Sequence, residues 1–306
     1  MKVLVATEKA FAPIAVGQIR TVTEAACYEL ELLENYNNIS DLLSAVSDAD
    51  ALIVRSDLVT EEVLDAAKKL KIVVRAGAGY DNLDLNACNA HNVVAMNTPG
   101  QNSNAVAELA FTLMLYHARG GFTGNSGSEL RGKSIGIHGF GNVGKHIAEI
   151  AAGFGMDKYT FDPFVTEKDI KKYGVKVCNT KEELYSRCQY VSLHIPANDK
   201  TSKSIEYDLL KKMPQDAILV NTARKEVIDE VSLLKIFEER RDFRYLADVA
   251  PDCADILKEK YKGRFLFTEK KMGAQTEEAN MNACLAAARQ IVDFFKTGNE
   301  KYRVNK

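Results

Sequence analysis

Short runs of β-branched and other apolar residues alternate along this chain with segments whose apolar positions recur every three to four residues. KVLVAT at 2–7, ALIVR at 51–55, KIVVRAG at 71–77 and NVVAMN at 92–97 are almost continuously apolar, as strands buried on both faces of a sheet must be. Between the second and third of these, the segment 60–69 sets Val63, Leu64 and Ala67 at helical spacing. SNAVAELAFTLMLYH at 103–117 predicts an apolar helix of about four turns, followed by the glycine-rich loop GGFTGNSGS at 120–128. A second β/α series opens at KSIGIHGFGNVGKHIAEIAAGFG and runs through DKYTFDP, QYVSLHIP, DAILVNTAR and FRYLADVAP. A long amphipathic helix over 276–296 comes last, with Thr276 and Glu277 as its start signal and Gly298 as its stop. The pattern predicts an α/β fold of two sheets, one after the other, each parallel and covered by helices on both faces.

Length agrees, since 306 residues at about 150 per domain make two. With 40 Lys+Arg against 42 Asp+Glu the formal charge is −2, so there is no bulk positive field to hold nucleic acid or an anionic membrane. No segment approaches the ~18 uninterrupted apolar residues of a membrane span. The start MKVLVATEKAFAP reads as a first strand rather than a targeting segment, and the expected location is cytoplasmic. Six scattered cysteines, Cys27, Cys88, Cys178, Cys188, Cys253 and Cys284, form no C-x-x-C pair, which points to neither disulfides nor a metal site.

The sharpest chemical signal is Gly139-Phe140-Gly141-Asn142-Val143-Gly144, placed after the apolar strand 134–138 and opening a helix. Its glycines serve a tight turn, close backbone approach to a pyrophosphate, and helix-to-strand packing. Asp162 ends the next apolar strand 23 residues after Gly139, near the spacing of a ribose-binding carboxylate. Pro163 and Phe164 follow it, with no adjacent arginine for a 2′-phosphate, so the expected cofactor is NAD.

These blocks resemble the D-isomer-specific 2-hydroxyacid dehydrogenases, and within that family the branch acting on phosphoglycerate. The likeness runs through IVRSDLVT at 53–60, VVRAGAGYDNLDL at 73–85, NTPGQNSNAVAELA at 97–110, LRGKSIGIHGFGNVG at 130–144, LHIPAN at 193–198, ILVNTARKEVIDE at 218–230, LADVAPD at 246–252 and MGAQTEEA at 272–279. It implies two Rossmann-like or flavodoxin-like domains with parallel sheets and an active-site cleft between them: a discontinuous substrate domain, 1–98 with 277–306, around an NAD domain at 99–276. It also implies hydride transfer between C2 of a 2-hydroxy acid and the nicotinamide. Arg224 matches the arginine that grips the substrate carboxylate, and Asp248 the aspartate on the nicotinamide side. His194, Pro196, Thr222, Ala223, Gly273 and Ala274 match further cofactor positions.

The family pattern is broken where its catalytic histidine belongs. Thr268-Glu269-Lys270-Lys271-Met272-Gly273 has no histidine, and counting back from Gly273 puts Lys271 in that place, whereas counting forward from Thr268 puts Lys270 there. The glutamate that orients the histidine falls on Cys253, with Asp252 one residue before it. Joint loss of both is coherent, because a lysine has no tautomer to fix and a carboxylate partner would only raise its pKa. Lys271 is the expected general acid/base, with Asp252 as a possible assistant and with desolvation and the charge of Arg224 lowering its pKa.

Arg55-Ser56 and Arg75 close two strands of the first series, where α/β sheets place ligands, and together make a phosphate clamp. Ala76, Gly77 and Ala78-Gly79 offer backbone N–H groups to a carboxylate, while Asn102 and Glu108 match positions near the cleft. The expected reaction is NAD-dependent oxidation of 3-phospho-D-glycerate to 3-phosphohydroxypyruvate, the first step of serine synthesis. Two other readings stay open: a glyoxylate or hydroxypyruvate reductase, and a non-catalytic NAD-binding partner protein. Lys306 follows the last helix by about ten residues, so no C-terminal regulatory domain is expected. The 119–130 loop is shorter than the family's and lacks Trp, so a homodimer is expected with a reduced interface.

Overall fold

The near-continuous apolar runs become parallel strands, because only a strand covered on both faces can bury every side chain it carries. The computed structural model describes residues 1–305 and divides into two units, Met1–Asn102 with Gln275–Lys306, and Ser103–Ala274. The division expected from the sequence differs by four residues at the first crossing and two at the second.

The first unit holds β1 (Lys2–Thr7), β2 (Glu29–Glu34), β3 (Ala51–Val54), β4 (Ile72–Arg75) and β5 (Val94–Asn97), all parallel, in the order β2-β1-β3-β4-β5. This is the flavodoxin-like order, with its switch point between β1 and β3. Alternate residues feed two cores. Leu4, Ala6, Leu52 and Val54 pack on one face, and Val3, Val5, Ala51 and Ile53 on the other. The last helix, Glu277–Thr297, covers the second face with Ala283, Cys284, Ala287, Ala288 and Ile291, small residues that let it lie close to the sheet. Its predicted caps are in place: the Thr276 side chain accepts from the Ala279 N–H, and Gly298 takes the left-handed conformation at φ 72°.

The second unit holds β6 (Ser134–His138), β7 (Asp157–Phe161), β8 (Lys176–Val177), β9 (Tyr190–Leu193), β10 (Ile218–Asn221), β11 (Arg244–Ala247) and β12 (Phe265–Phe267), in the order β12-β11-β10-β9-β6-β7-β8. This Rossmann order switches between β6 and β9, at the glycine-rich turn. The apolar helix Ser103–Ala118 packs here, with Phe111 stacked on Phe154 at 5.3 Å. No helix among the described residues is long and apolar enough to cross a membrane, and none of their His, Cys, Asp and Glu groups is arranged to hold a metal. All six cysteines are free.

Three strands escaped the sequence reading. β2 reads ELELLE and is a charged edge strand whose Glu31 pairs with Lys2, while β8 and β12 are only two and three residues long. The opposite edge, β5, is covered by the chain's tail. Val304 N–H donates to the Ala95 carbonyl at 2.8 Å, and Asn305, 1% exposed, accepts from the Ala95 N–H at 2.8 Å and donates to the Val93 carbonyl at 2.9 Å. Asn305→Ala leaves both backbone groups unpaired and is expected to cost about 1–3 kcal/mol. Urea unfolding should show a lower midpoint with an unchanged slope, and an unmoved midpoint would contradict this.

Candidate active site

The turn after β6 is built by its glycines. Gly139 sits at φ +95°, and a Cβ there would come within 2.8 Å of the His194 carbonyl across the switch point. A Cβ on Gly144 would lie 2.3 Å from the Gly139 carbonyl, so this glycine permits the helix Asn142–Gly153 to start directly against the turn. Gly141, at the helix N-cap, has open space where a Cβ would stand, and no side chain caps the helix. Open N–H groups at a helix start, approached over a bare glycine, form a cradle for a pyrophosphate.

Asp162, just past β7, does more than the sequence reading expected. Its Oδ2 accepts from the Phe140 N–H at 2.7 Å, and its Oδ1 accepts from the N–H groups of Phe164 at 2.8 Å and Val165 at 3.2 Å. A carboxylate has about four acceptor sites, so one remains for a ribose hydroxyl. Beside the turn, Ser192 Oγ, His194 Nε2 and Thr222 Oγ1 are buried with no partner, at the carboxyl ends of β9 and β10. Orphaned polar atoms lined up at strand ends fit a polar ligand such as NAD.

The loop after β10 is drawn tight by Asn221, 4% exposed, which the sequence reading passed over as one letter of an apolar strand. Its Nδ2 donates to the Arg224 carbonyl at 2.9 Å, and its Oδ1 accepts from the Ala223 N–H at 3.0 Å. Arg224 is half-buried, and its Nη1 donates to the Ala223 carbonyl. Thr222, Ala223 and Arg224 line one small pocket with Asp248.

Asp248, 2% exposed, follows β11 and holds the lysine segment at both ends. Its Oδ1 accepts from Thr268 Oγ1 at 3.1 Å and from the Met272 N–H at 2.7 Å, and its Oδ2 from the Gly273 N–H at 2.8 Å. A Cβ on Gly273 would press to 2.9 Å from that oxygen. Ala274 follows, half-buried, as the last residue of the unit. Lys270 and Lys271 sit in the bracketed segment and are exposed. Asp252 is placed beside Lys225, with Oδ1 2.5 Å from Nζ and its side chain 77% exposed. The N–H groups of Asp252 and Cys253 both donate to Glu230, a carboxylate unnoticed in the sequence. Burial and that carboxylate push the Cys253 thiol up to about 12, so it is no nucleophile.

In the first unit, Arg55 follows β3 and Arg75 ends β4, with the exposed Ser56 next after Arg55. Arg75 Nε donates to the Arg55 carbonyl at 2.9 Å, and Arg55 Nη2 to Gln275 Oε1 at 3.3 Å. Gly77, at φ +154°, lies under the Arg75 guanidinium, where a Cβ would overlap Nη1 at 1.5 Å. Ala76 and Gly77 are buried, and the Gly77 carbonyl accepts from the Thr98 N–H, so this loop is firmly seated. Asn102 is half-buried at the unit's end, and Glu108 is exposed, accepting from Asn104 Nδ2. Pro196 is exposed, two residues past His194.

Burial pushes the His138 imidazole down to about 4, and burial with His138 nearby pushes His194 down to about 3. Both rings are neutral in the folded protein at pH 7, while unfolded histidine gains its proton near 6.5. The unfolded chain binds more protons between those values, so the stability these rings contribute is complete above pH 6.5 and drains away as pH falls toward 4. His138→Asn keeps a polar group toward Tyr185 Oη, which lies 3.1 Å from Nδ1, and cannot take a proton. Its melting midpoint should fall less steeply than the parent's as pH drops through that window, and parallel curves would contradict the assignment.

Residues 112–256 match the family model described as D-isomer specific 2-hydroxyacid dehydrogenase, NAD binding domain. A D-3-phosphoglycerate dehydrogenase of Methanocaldococcus jannaschii is 33% identical over 82% of this chain, and the chain spans about half (51%) of that relative's length. A hydroxypyruvate reductase of Thermotoga maritima is 36% identical over 67% of this chain and 70% of its own length. The crystal structure of the NAD+-bound 3-phosphoglycerate dehydrogenase of Entamoeba histolytica superposes with a TM-score of 0.87 at 47% identity, covering 100% of this chain and 99% of that one. The chain therefore belongs to the D-isomer-specific 2-hydroxyacid dehydrogenase family, and its second unit carries the family's NAD-binding domain.

Proposed function

We propose that this chain oxidises 3-phospho-D-glycerate to 3-phosphohydroxypyruvate with NAD, the step that opens serine synthesis. The observation that carries the reading is the arginine pair closing the adjacent strands β3 and β4, with Ser56 between them in sequence, a doubly cationic grip suited to a phosphate dianion. The relatives named phosphoglycerate dehydrogenase support it.

NAD, when bound, accepts the hydride leaving C2 of the substrate. Arg224 grips the carboxylate and steadies the negative charge that builds on the oxygen at C2, as an always-charged, two-pronged donor can. Lys271, presented by the segment that Asp248 holds, takes the hydroxyl proton on Nζ and returns it in the reverse direction. To act as a base near neutral pH its amine must lose a proton early, and the charge of Arg224 together with desolvation by bound substrate and cofactor pushes it that way. Asp252 enters only through Lys225, whose charge it balances. The Ala76 and Gly77 N–H groups are taken by the Val54 and Arg75 carbonyls, each at 2.8 Å, so the carboxylate contact expected of this loop falls to the N–H groups of Ala78 and Gly79, which with Asn102 complete the substrate contacts of the first unit. A homodimer resident in the cytoplasm belongs to the same reading.

Hydroxypyruvate reduction is the second reading, favoured by the Thermotoga maritima relative. One panel separates the two: NADH formation from 3-phosphoglycerate, and NADH consumption with phosphohydroxypyruvate, hydroxypyruvate and glyoxylate, for the native protein, Lys271→Ala and Lys270→Ala. The phosphorylated pair should show the higher kcat/KM. Lys271→Ala should lower kcat by about 10²–10⁴ with NAD affinity retained, and Lys270→Ala by only a few-fold. Preference for the unphosphorylated acids would select the second reading. NAD binding without turnover of any 2-hydroxy acid would select the non-catalytic partner protein.

A further inference from the structure

Asp57 is a carboxylate with 3% exposure, two residues past Arg55, at the carboxyl ends of the strands that flank the first unit's switch point. Its Oδ1 accepts from the Glu8 N–H, just past β1, at 2.7 Å and from Tyr36 Oη, just past β2, at 2.8 Å. Its Oδ2 accepts from the Arg55 N–H, just past β3, at 3.3 Å. Its own carbonyl accepts from Asn82 Nδ2 at 2.7 Å. One side chain thus ties three strand ends together and its own carbonyl adds a loop, in the crevice where such sheets usually seat a ligand.

The Arg55 peptide is gripped from both sides. Its N–H donates to Asp57, and its carbonyl accepts from Arg75 Nε at 2.9 Å. Any shift of Asp57 therefore moves the backbone that carries one guanidinium and the acceptor that orients the other. We propose that Asp57 is a positioning residue for phosphate recognition, setting Arg55, Ser56 and Arg75 without touching the substrate. The inference rests on the reading that these three residues take a phosphate.

The carboxylate is needed as such. An amide has one acceptor oxygen in place of two, so Asp57→Asn must present an NH2 either to the Arg55 N–H or to the Glu8 N–H, and one of those donors loses its partner. Tyr36→Phe removes a single donor and is the milder change. Burial and the Asp57 carboxylate both hold the Tyr36 hydroxyl protonated, so it stays a donor throughout the working pH range.

The test compares KM for phosphohydroxypyruvate with KM for hydroxypyruvate, both reduced with NADH, in the native protein, Asp57→Asn, Tyr36→Phe and Arg55→Ala. Asp57→Asn should raise the first KM about tenfold relative to the second, with kcat moving less than threefold, since a hydrogen bond to a charged group is worth about that factor. Tyr36→Phe should shift the same ratio in the same direction by about twofold, and it carries the test alone if Asp57→Asn does not fold. If Arg55→Ala shifts the ratio and the Asp57 and Tyr36 variants do not, the positioning role is overturned while the phosphate grip stands. An unshifted ratio in Arg55→Ala overturns the grip and the positioning role together. A fall in kcat with both substrates and no change in ratio shows a purely structural Asp57 and also overturns it.

Discussion

Loops that receive ligands at the ends of parallel strands have backbone N–H groups that no neighbouring strand pairs, and an unpaired buried N–H costs about as much as a lost hydrogen bond. This chain meets the constraint three times with an aspartate. Asp57 accepts from Glu8 and Arg55, Asp162 from Phe140, Phe164 and Val165, and Asp248 from Met272 and Gly273. Each carboxylate fixes a segment that carries a candidate ligand group: the arginine grip, the pyrophosphate turn and the lysine segment. The loops are thereby shaped before any ligand arrives, which reduces what binding must spend on ordering them.

The glycines are the complement of that arrangement. Gly77 and Gly139 adopt backbone conformations that side chains rarely take, and at Gly77, Gly139, Gly144 and Gly273 a Cβ would collide with a guanidinium, a carbonyl or a carboxylate that holds the loop. These frames present the side chains proposed for the chemistry. Lys271 stands exposed on its bracketed segment, and Arg224 rides on a turn drawn in by Asn221.

Most of the architecture was legible in the chain because buried parallel strands and capped helices leave plain signals. β1, β3, β6 and β10 announce themselves as apolar runs, and Thr276 with Gly298 frames the last helix. β2 was hidden because an edge strand can carry three carboxylates in ELELLE, and β8 and β12 because two or three residues have no period. The glycine turn and its acidic partner could be read from spacing, and the arginines from their places after apolar strands. The holding roles of Asp57, Asn221, Glu230 and Asp248 could not, since each depends on hydrogen bonds to backbone groups distant in sequence or on the far side of a turn. The surroundings of Lys271 could not be read either, because a position two residues before a buried glycine says nothing of which way the side chain faces.

Preshaping of these loops is open to direct measurement by amide hydrogen exchange on the ligand-free protein. The N–H groups of Glu8, Arg55, Phe140, Met272 and Gly273 each donate to one of the three aspartates. They should exchange far more slowly than the open N–H groups at the start of the helix Asn142–Gly153, and should do so before any cofactor or substrate is added. Exchange at those five amides as fast as at the open helix start, slowing only when ligand is present, would show that the ligand rather than the aspartates shapes the loops.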